Sequence, residues 1–307
     1  MAVKDSQELA NFEILTKGTI PLPGDIPEID GYDIYGESIP LVGAIGGDHI
    51  IYIDFKERYE LDEKIKEVSR DKRFVAKAKE QIIENIRTLK TKGGLLIADV
   101  SGHFKTDFSF AARLHDAFLI SVLYEIEGRG DVTPNLFRKL NTRLHNSSSF
   151  DKFITMIYGE ISEEGKFRFI SAGHPFPLIY TLKQQKLRPP SEAGMEPSPP
   201  LAAFPSGGHD MERNMTRTGF YSTFKVNQLQ LKEAGDILLL YTDGVTEHTN
   251  SEGMLFYDPE TGGELERTIH RNRELSSRDL FARIKESLLK FAEPQDDASF
   301  ILIKRIK

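Results

Sequence analysis

The sequence predicts an α+β protein in which two mostly antiparallel sheets pack face to face with helices outside. Three observations carry that expectation. Short apolar, strand-like runs recur along the chain and are separated by turn-rich segments. A few longer stretches repeat their apolar residues every three or four positions, as helices do. The chain also closes on an apolar run, 299–306, that suits a last strand. Elements in that mixture bury their apolar faces best as sheet on sheet, with helices on the outer surfaces.

The elements follow in order. Residues 21–45 hold short apolar pieces broken by Pro and Gly, a meandering lead into a first strand. A Gly46-Gly47-Asp48 turn precedes the strand-like run Ile50-Ile51-Tyr52-Ile53. From 57 to 92 the texture becomes charged and helical. Leu61, Ile65, Val68, Val75, Ile82, Ile86 and Leu89 form one stripe, interrupted at Lys72 and Lys79, and Gly93-Gly94 is expected to end it. Residues 95–100 read as a buried strand and 108–124 as a strongly apolar helix. Residues 133–145 read as an amphipathic helix started by Thr133-Pro134. Strands are expected at 153–161, 166–171 and 178–181. The segment 183–217, rich in Pro, Gly and Ser, reads as a long mobile loop. Further strands are expected at 219–231 and 236–242. A helix is expected at 276–292, capped by Ser276 or Ser277 with Asp279 in its first turn.

Composition narrows the function. Of 307 residues, 39% are hydrophobic and 28% charged, the mix of a globular protein. A net charge of −7 argues against nucleic acid as a partner, because phosphate backbones call for a basic face. The absence of cysteine excludes disulfides, thiolate metal sites and cysteine nucleophiles. The opening MAVKDSQELA is polar, unlike a signal peptide, and no apolar run approaches the roughly 20 residues of a membrane span. A cytoplasmic location is expected.

The aspartates carry the functional signal. Asp48 follows Gly-Gly, Asp99 ends LLIAD, Asp243 follows ILLLYT, and Asp296-Asp297 precede ASFILI. A lone Asp at a strand end is ordinarily a turn former that bonds its own backbone. Four such sites on buried strands have another reading. Packed sheets bring strand ends together, and gathered carboxylates need a divalent cation at neutral pH. An all-oxygen donor set suits hard cations such as Mg²⁺ or Mn²⁺.

The blocks GDIPEIDGYDIYGESIPLVGAIGGD, IADVSGH, SAGHPFPLI, GDILLLYTDGVTEHTN and DDASFILI stand in the order and approximate spacing of the PPM family of metal-dependent protein phosphatases. The chain resembles most its bacterial SpoIIE/RsbU-like branch, over about residues 20–55 and 93–307. The resemblance implies a four-layer α-β-β-α sandwich over 20–307. Residues 1–19 would be an N-terminal extension, 57–92 a helical insertion, and 183–217 a long loop. It implies a two-metal site at one sandwich edge. Asp99 would bridge two divalent cations, with the Val100 carbonyl on one of them. Asp243 and Asp296 would ligate the other, and Asp48 would hold the first directly or through water. Asp297 takes the place of Asp296 if the register slips by one. The implied activity is hydrolysis of phosphoserine or phosphothreonine by a water held between the cations. The implied partner is a phosphorylated regulatory protein, with an anti-sigma-factor antagonist as the candidate.

Departures from the pattern matter. Phe104 follows His103 where the family has glycine, which either alters the backbone or packs on the next helix. His103 reads as structural, and His174 as part of a rigid turn. The segment 57–92 is either an amphipathic helix packed on its own domain or a dimerisation or regulatory element. The resemblance also implies that the helices after DVSGH, by position 108–124 and 133–145, act as a switch controlling metal binding, and they are a second candidate surface for a homodimer. A catalytically silent, phosphatase-like binding protein is the main alternative. A metal-dependent nuclease or nucleotidase fits the acidic charge and motif order less well.

Overall fold

The computed structural model describes residues 21, 23–41, 46–101, 105–146, 152–190, 194–206 and 223–307, the side chains of 105–108 excepted. Strand β1 (Tyr32–Ile39) is followed by β2 (His49–Asp54) and three helices, α1 (Phe55–Arg58), α2 (Leu61–Arg70) and α3 (Ala76–Leu89). Then come β3 (Lys92–Val100), α4 (Lys105–Arg129), α5 (Pro134–His145), β4 (Ile154–Ser162), β5 (Lys166–Ala172), β6 (Leu178–Thr181) and β7 (Lys186–Arg188). The chain ends through β8 (Asn227–Gln230), β9 (Ile237–Tyr241), α6 (Asp243–Thr246), α7 (Gly263–Asn272), α8 (Ser277–Phe291) and β10 (Ala298–Arg305).

The strands form two five-stranded antiparallel sheets, ordered β1-β10-β9-β6-β7 and β2-β3-β4-β5-β8. Alternation sorts their side chains. Ile50, Tyr52, Leu95, Ile97, Ile157, Leu238, Leu240, Ile301 and Ile303 fill the layer between the sheets. Leu96, Ala98 and Met156, on the other face of their strands, join Ile82, Ile86, Phe118 and Phe137 under α2–α5. Leu239, Phe300 and Leu302 pack with Leu265, Ile269, Leu280 and Ile284 under α7 and α8. Helix, sheet, sheet and helix make four layers, as expected.

Several boundaries differ from the sequence reading. The stripe across 57–92 is not one helix, because the chain breaks at 71–75 between α2 and α3. Leu61, Val68, Ile82, Ile86 and Leu89 are buried against the domain's own sheet, while Val75, in the break, is 74% exposed. Gly93 and Gly94 do not end a helix. They lie inside β3, where a Cβ at Gly93 would come within 2.6 Å of Pro27. Part of the segment 183–217 is ordered. It contains β7, and Ser198 and Leu201 bridge to Ala172 and Ile154. The strand expected at 219–231 is confined, among the described residues, to β8. Helix α7 was not anticipated. Among the described residues no helix is long and apolar enough to cross a membrane.

Candidate active site

Strand alternation places the candidate residues. Asp99 continues the inward series Leu95, Ile97, and Asp48 continues Tyr52, Ile50. Thr242 follows Leu238, Leu240 in the same way, and Ser299 leads into Ile301, Ile303. Thr155 sits opposite Asp99 in the ladder, as Ala98 sits opposite His49. At one end of the sandwich the layer between the sheets therefore turns from apolar to polar: Asp48, Asp99 and Thr155 from one sheet, Thr242 and Ser299 from the other.

A hydrogen bond joins the two halves, and a second supports it from within one sheet. Thr242 Oγ1 donates to Asp48 Oδ2 at 2.7 Å, and the Ser299 backbone N–H donates to Thr242 Oγ1 at 2.9 Å. Asp48 is only 7% exposed. Burial, and next the charge of Asp99, push its carboxyl well above the usual range, and Asp297 adds to the push. The hydrogen bonds from Thr242 and Ser299 act the other way without cancelling it.

Asp243 begins α6. Burial, then Asp296, then Glu247 raise its carboxyl. Asp296 Oδ1 accepts from the Asp297 backbone N–H at 2.8 Å. The Asp297 carboxylate is committed elsewhere, accepting from the Leu41 and Gly47 N–H groups at 2.6 Å each. It thus fixes the loop that delivers Asp48. A Cβ at Gly46 would meet that carboxylate, and one at Gly244 would meet the Asp297 carbonyl, so these three loops lie against one another.

Val100 closes β3 opposite Ile154, its side chain in the helix-facing core. His103 and Phe104 lie outside the described residues. His174 is buried, with both ring nitrogens engaged. His49, next to Asp48, is also buried, its Nε2 2.9 Å from Nδ1 of His115 on α4. Burial, with His115 adding to it, lowers the His49 imidazole to about 3, so this link between β2 and α4 is uncharged.

The carboxylates stand as two electrostatic pairs, Asp48 with Asp99 and Asp243 with Asp296. Among the described residues no three His, Asp or Glu side chains are already gathered to hold one metal ion. The donor set still fits a hard divalent cation. A buried carboxylate feels the charge of another and is supported by hydroxyls, an all-oxygen, negatively charged surrounding that a cation would neutralise. Sequence reasoning missed Thr242, Ser299 and Thr155. Each shares the inward alternation of its strand, the one signal available for it.

This sandwich, with its acidic end between two antiparallel sheets, is the fold of the PP2C-type phosphatases. Residues 90–306 match the family model described as Stage II sporulation protein E (SpoIIE), and the chain belongs to that family. Phosphoserine phosphatase RsbU of Bacillus subtilis (strain 168) is 25% identical over 174 residues, 55% of this chain and 44% of RsbU. The chain thus matches less than half the length of that relative. The SiaA-PP2C domain of Pseudomonas aeruginosa superposes with a TM-score of 0.62 at 11% identity, covering 100% of this chain and 98% of that domain. The RsbU and RsbW domains of a Mycobacterium tuberculosis protein give 0.58 at 20% identity, covering 94% of this chain and 64% of theirs.

Proposed function

We propose that this chain is a metal-dependent protein serine/threonine phosphatase. Asp48, Asp99, Asp243 and Asp296, with the Val100 carbonyl, would hold two divalent cations, Mn²⁺ or Mg²⁺. The buried Asp48 carboxylate carries this reading, since the charge of Asp99 acts on it at a polar end of the layer between the sheets. When bound, two such cations lower the pKa of a water and neutralise charge on phosphoryl oxygens, which answers the extreme inertness of phosphate monoesters. The protein's own groups supply position. Thr242 and Ser299 orient Asp48, and Asp297 anchors the loop before it.

The substrate in this reading is a phosphoserine or phosphothreonine on a regulatory protein, with an anti-sigma-factor antagonist as the candidate. Similarity to RsbU and to a protein joining RsbU and RsbW domains supports a partner-switching role. A homodimer through 57–92 would have to use polar faces, since most of that stripe is buried. Helix α4 keeps Ile120 and Tyr124 exposed, at 55% and 68%. A catalytically silent binding protein is the second reading, favoured by the finding that among the described residues no three His, Asp or Glu side chains are gathered to hold one metal ion.

Hydrolysis of an aryl phosphate and of phosphopeptides, with and without Mn²⁺, separates the two. The enzyme reading expects Mn²⁺-dependent turnover that Asp99→Asn and Asp243→Asn reduce by more than about 100-fold, beyond the usual cost of outer-shell changes. Equal inactivity of wild type and variants with every divalent metal decides for the binding reading.

A further inference from the structure

His174 stands in the connection between β5 and β6, where the chain passes from one sheet to the other. Its backbone is held. The Gly173 N–H donates to the Ser198 carbonyl at 2.6 Å, and Ser171 Oγ donates to the His174 carbonyl at 2.6 Å. The buried ring spans the gap between the sheets. Nδ1 lies 3.0 Å from Thr155 Oγ1, and Nε2 lies 2.8 Å from the Tyr241 carbonyl oxygen. A carbonyl only accepts, so Nε2 carries the proton and Nδ1 accepts from the Thr155 hydroxyl. Burial lowers this imidazole to about 4, which keeps it neutral near pH 7.

The two ends of this link are informative. Thr155 is the ladder partner of Asp99, on β4. Tyr241 ends β9, two residues before Asp243. The candidate metal-binding carboxylates are split the same way. Asp48 and Asp99 belong to the sheet of β2 and β3, whereas Asp243 and Asp296 flank β9 and β10 of the other. A site assembled from two sheets is only as well defined as their relative placement, and outer hydrogen bonds are what fix ligands for a metal.

We propose that His174 is a positioning residue. Together with Thr155 it forms a neutral cross-tie that holds the Asp99 half of the site against the Asp243 half, and so sets the affinity for divalent cations. The proposal rests on the metal-site reading above and assigns the imidazole no contact with substrate.

Calorimetric titration with Mn²⁺, without substrate, tests it on wild type, Thr155→Val, Thr155→Ser and His174→Gln. Urea unfolding in chelator reports stability alongside. Thr155→Val removes the hydroxyl while keeping the branched shape, and is expected to weaken Mn²⁺ binding about 10-fold. Thr155→Ser restores the hydroxyl and should bind within about twofold of wild type, on the same scale of outer-shell effects. His174→Gln loses at least as much as Thr155→Val. Wild-type affinity in Thr155→Val overturns the proposal, as does an equal loss in Thr155→Ser, which would point to packing. Should His174→Gln fail to fold, the Thr155 pair decides alone. A wild-type chain that takes up no Mn²⁺ overturns the metal-site reading together with this one. Uptake that is the same in every variant overturns this one alone.

Discussion

At the scale of single residues, Asp48 shows how the site trades stability for function. Its carboxyl is buried, faces Asp99, and titrates well above the usual range. In the metal-free protein the folded state therefore binds a proton that the unfolded state has already released. Folding stability falls as pH rises past the unfolded carboxyl value of about 4 toward the raised folded one. Asparagine keeps an oxygen for the Thr242 hydroxyl and removes the charge. Asp48→Asn is expected to stabilise the metal-free protein at pH 7.5 by on the order of 1–3 kcal/mol, and to flatten this pH slope. Urea unfolding in chelator from pH 5 to 8 measures both. A variant less stable than wild type across that range contradicts the account. The Asp297 carboxylate has a different task, since two backbone N–H groups already occupy it. The two adjacent aspartates thus have different hydrogen-bond partners, the Leu41 and Gly47 N–H groups for Asp297 and the Asp297 N–H for Asp296.

At the scale of elements, the α2–α3 pair uses its apolar stripe at home. Ile86 is fully buried beside Ile82 and Leu89, whereas Val75 projects from the break between the helices. Ile86→Ala should cost about 2–5 kcal/mol through lost burial and a cavity. Val75→Ala, at an exposed site, should stay within about 0.5 kcal/mol of wild type. Chemical denaturation of both variants checks the contrast. Comparable large losses would mean that Val75 is covered in solution, as a dimer through this segment would require. Periodicity showed the helical character of 57–92 because burial repeats every turn. It did not show the break, since the residues around Val75 keep the same spacing. Gly93-Gly94 misled for a related reason. Glycine serves both helix ends and strands that a neighbouring group approaches closely, and it is the packing of the Pro27 ring on Gly93 that distinguishes these uses. Helix α7 escaped notice because its ten residues carry only a short apolar stripe, chiefly Leu265 and Ile269.

At the scale of the whole molecule, the acidic end was visible in the chain because each aspartate borders an apolar strand. What local pattern could not reveal was which strand ends meet. That depends on sheet order, and the ties across the sheets, Thr242 to Asp48 and His174 to Thr155 and Tyr241, join residues 194, 19 and 67 positions apart. The candidate carboxylates come from both sheets, so a cation bound among them would act as a staple between two halves of the core. Ligand that binds only the folded state adds RT ln(1 + [L]/Kd), about 2.7 kcal/mol at a hundredfold excess over Kd. In a chain of this size that corresponds to a rise in melting temperature of roughly 5 °C. Mn²⁺ should raise the melting temperature of the wild-type protein by about that much, in proportion to the logarithm of its concentration and reversibly with chelator. Asp99→Asn should abolish the shift, because Asp99 is a proposed ligand whose charge already acts on the buried Asp48 carboxyl. Scanning calorimetry across a Mn²⁺ series measures it. A melting temperature indifferent to Mn²⁺ in the wild-type protein would mean that the two sheets do not share a metal.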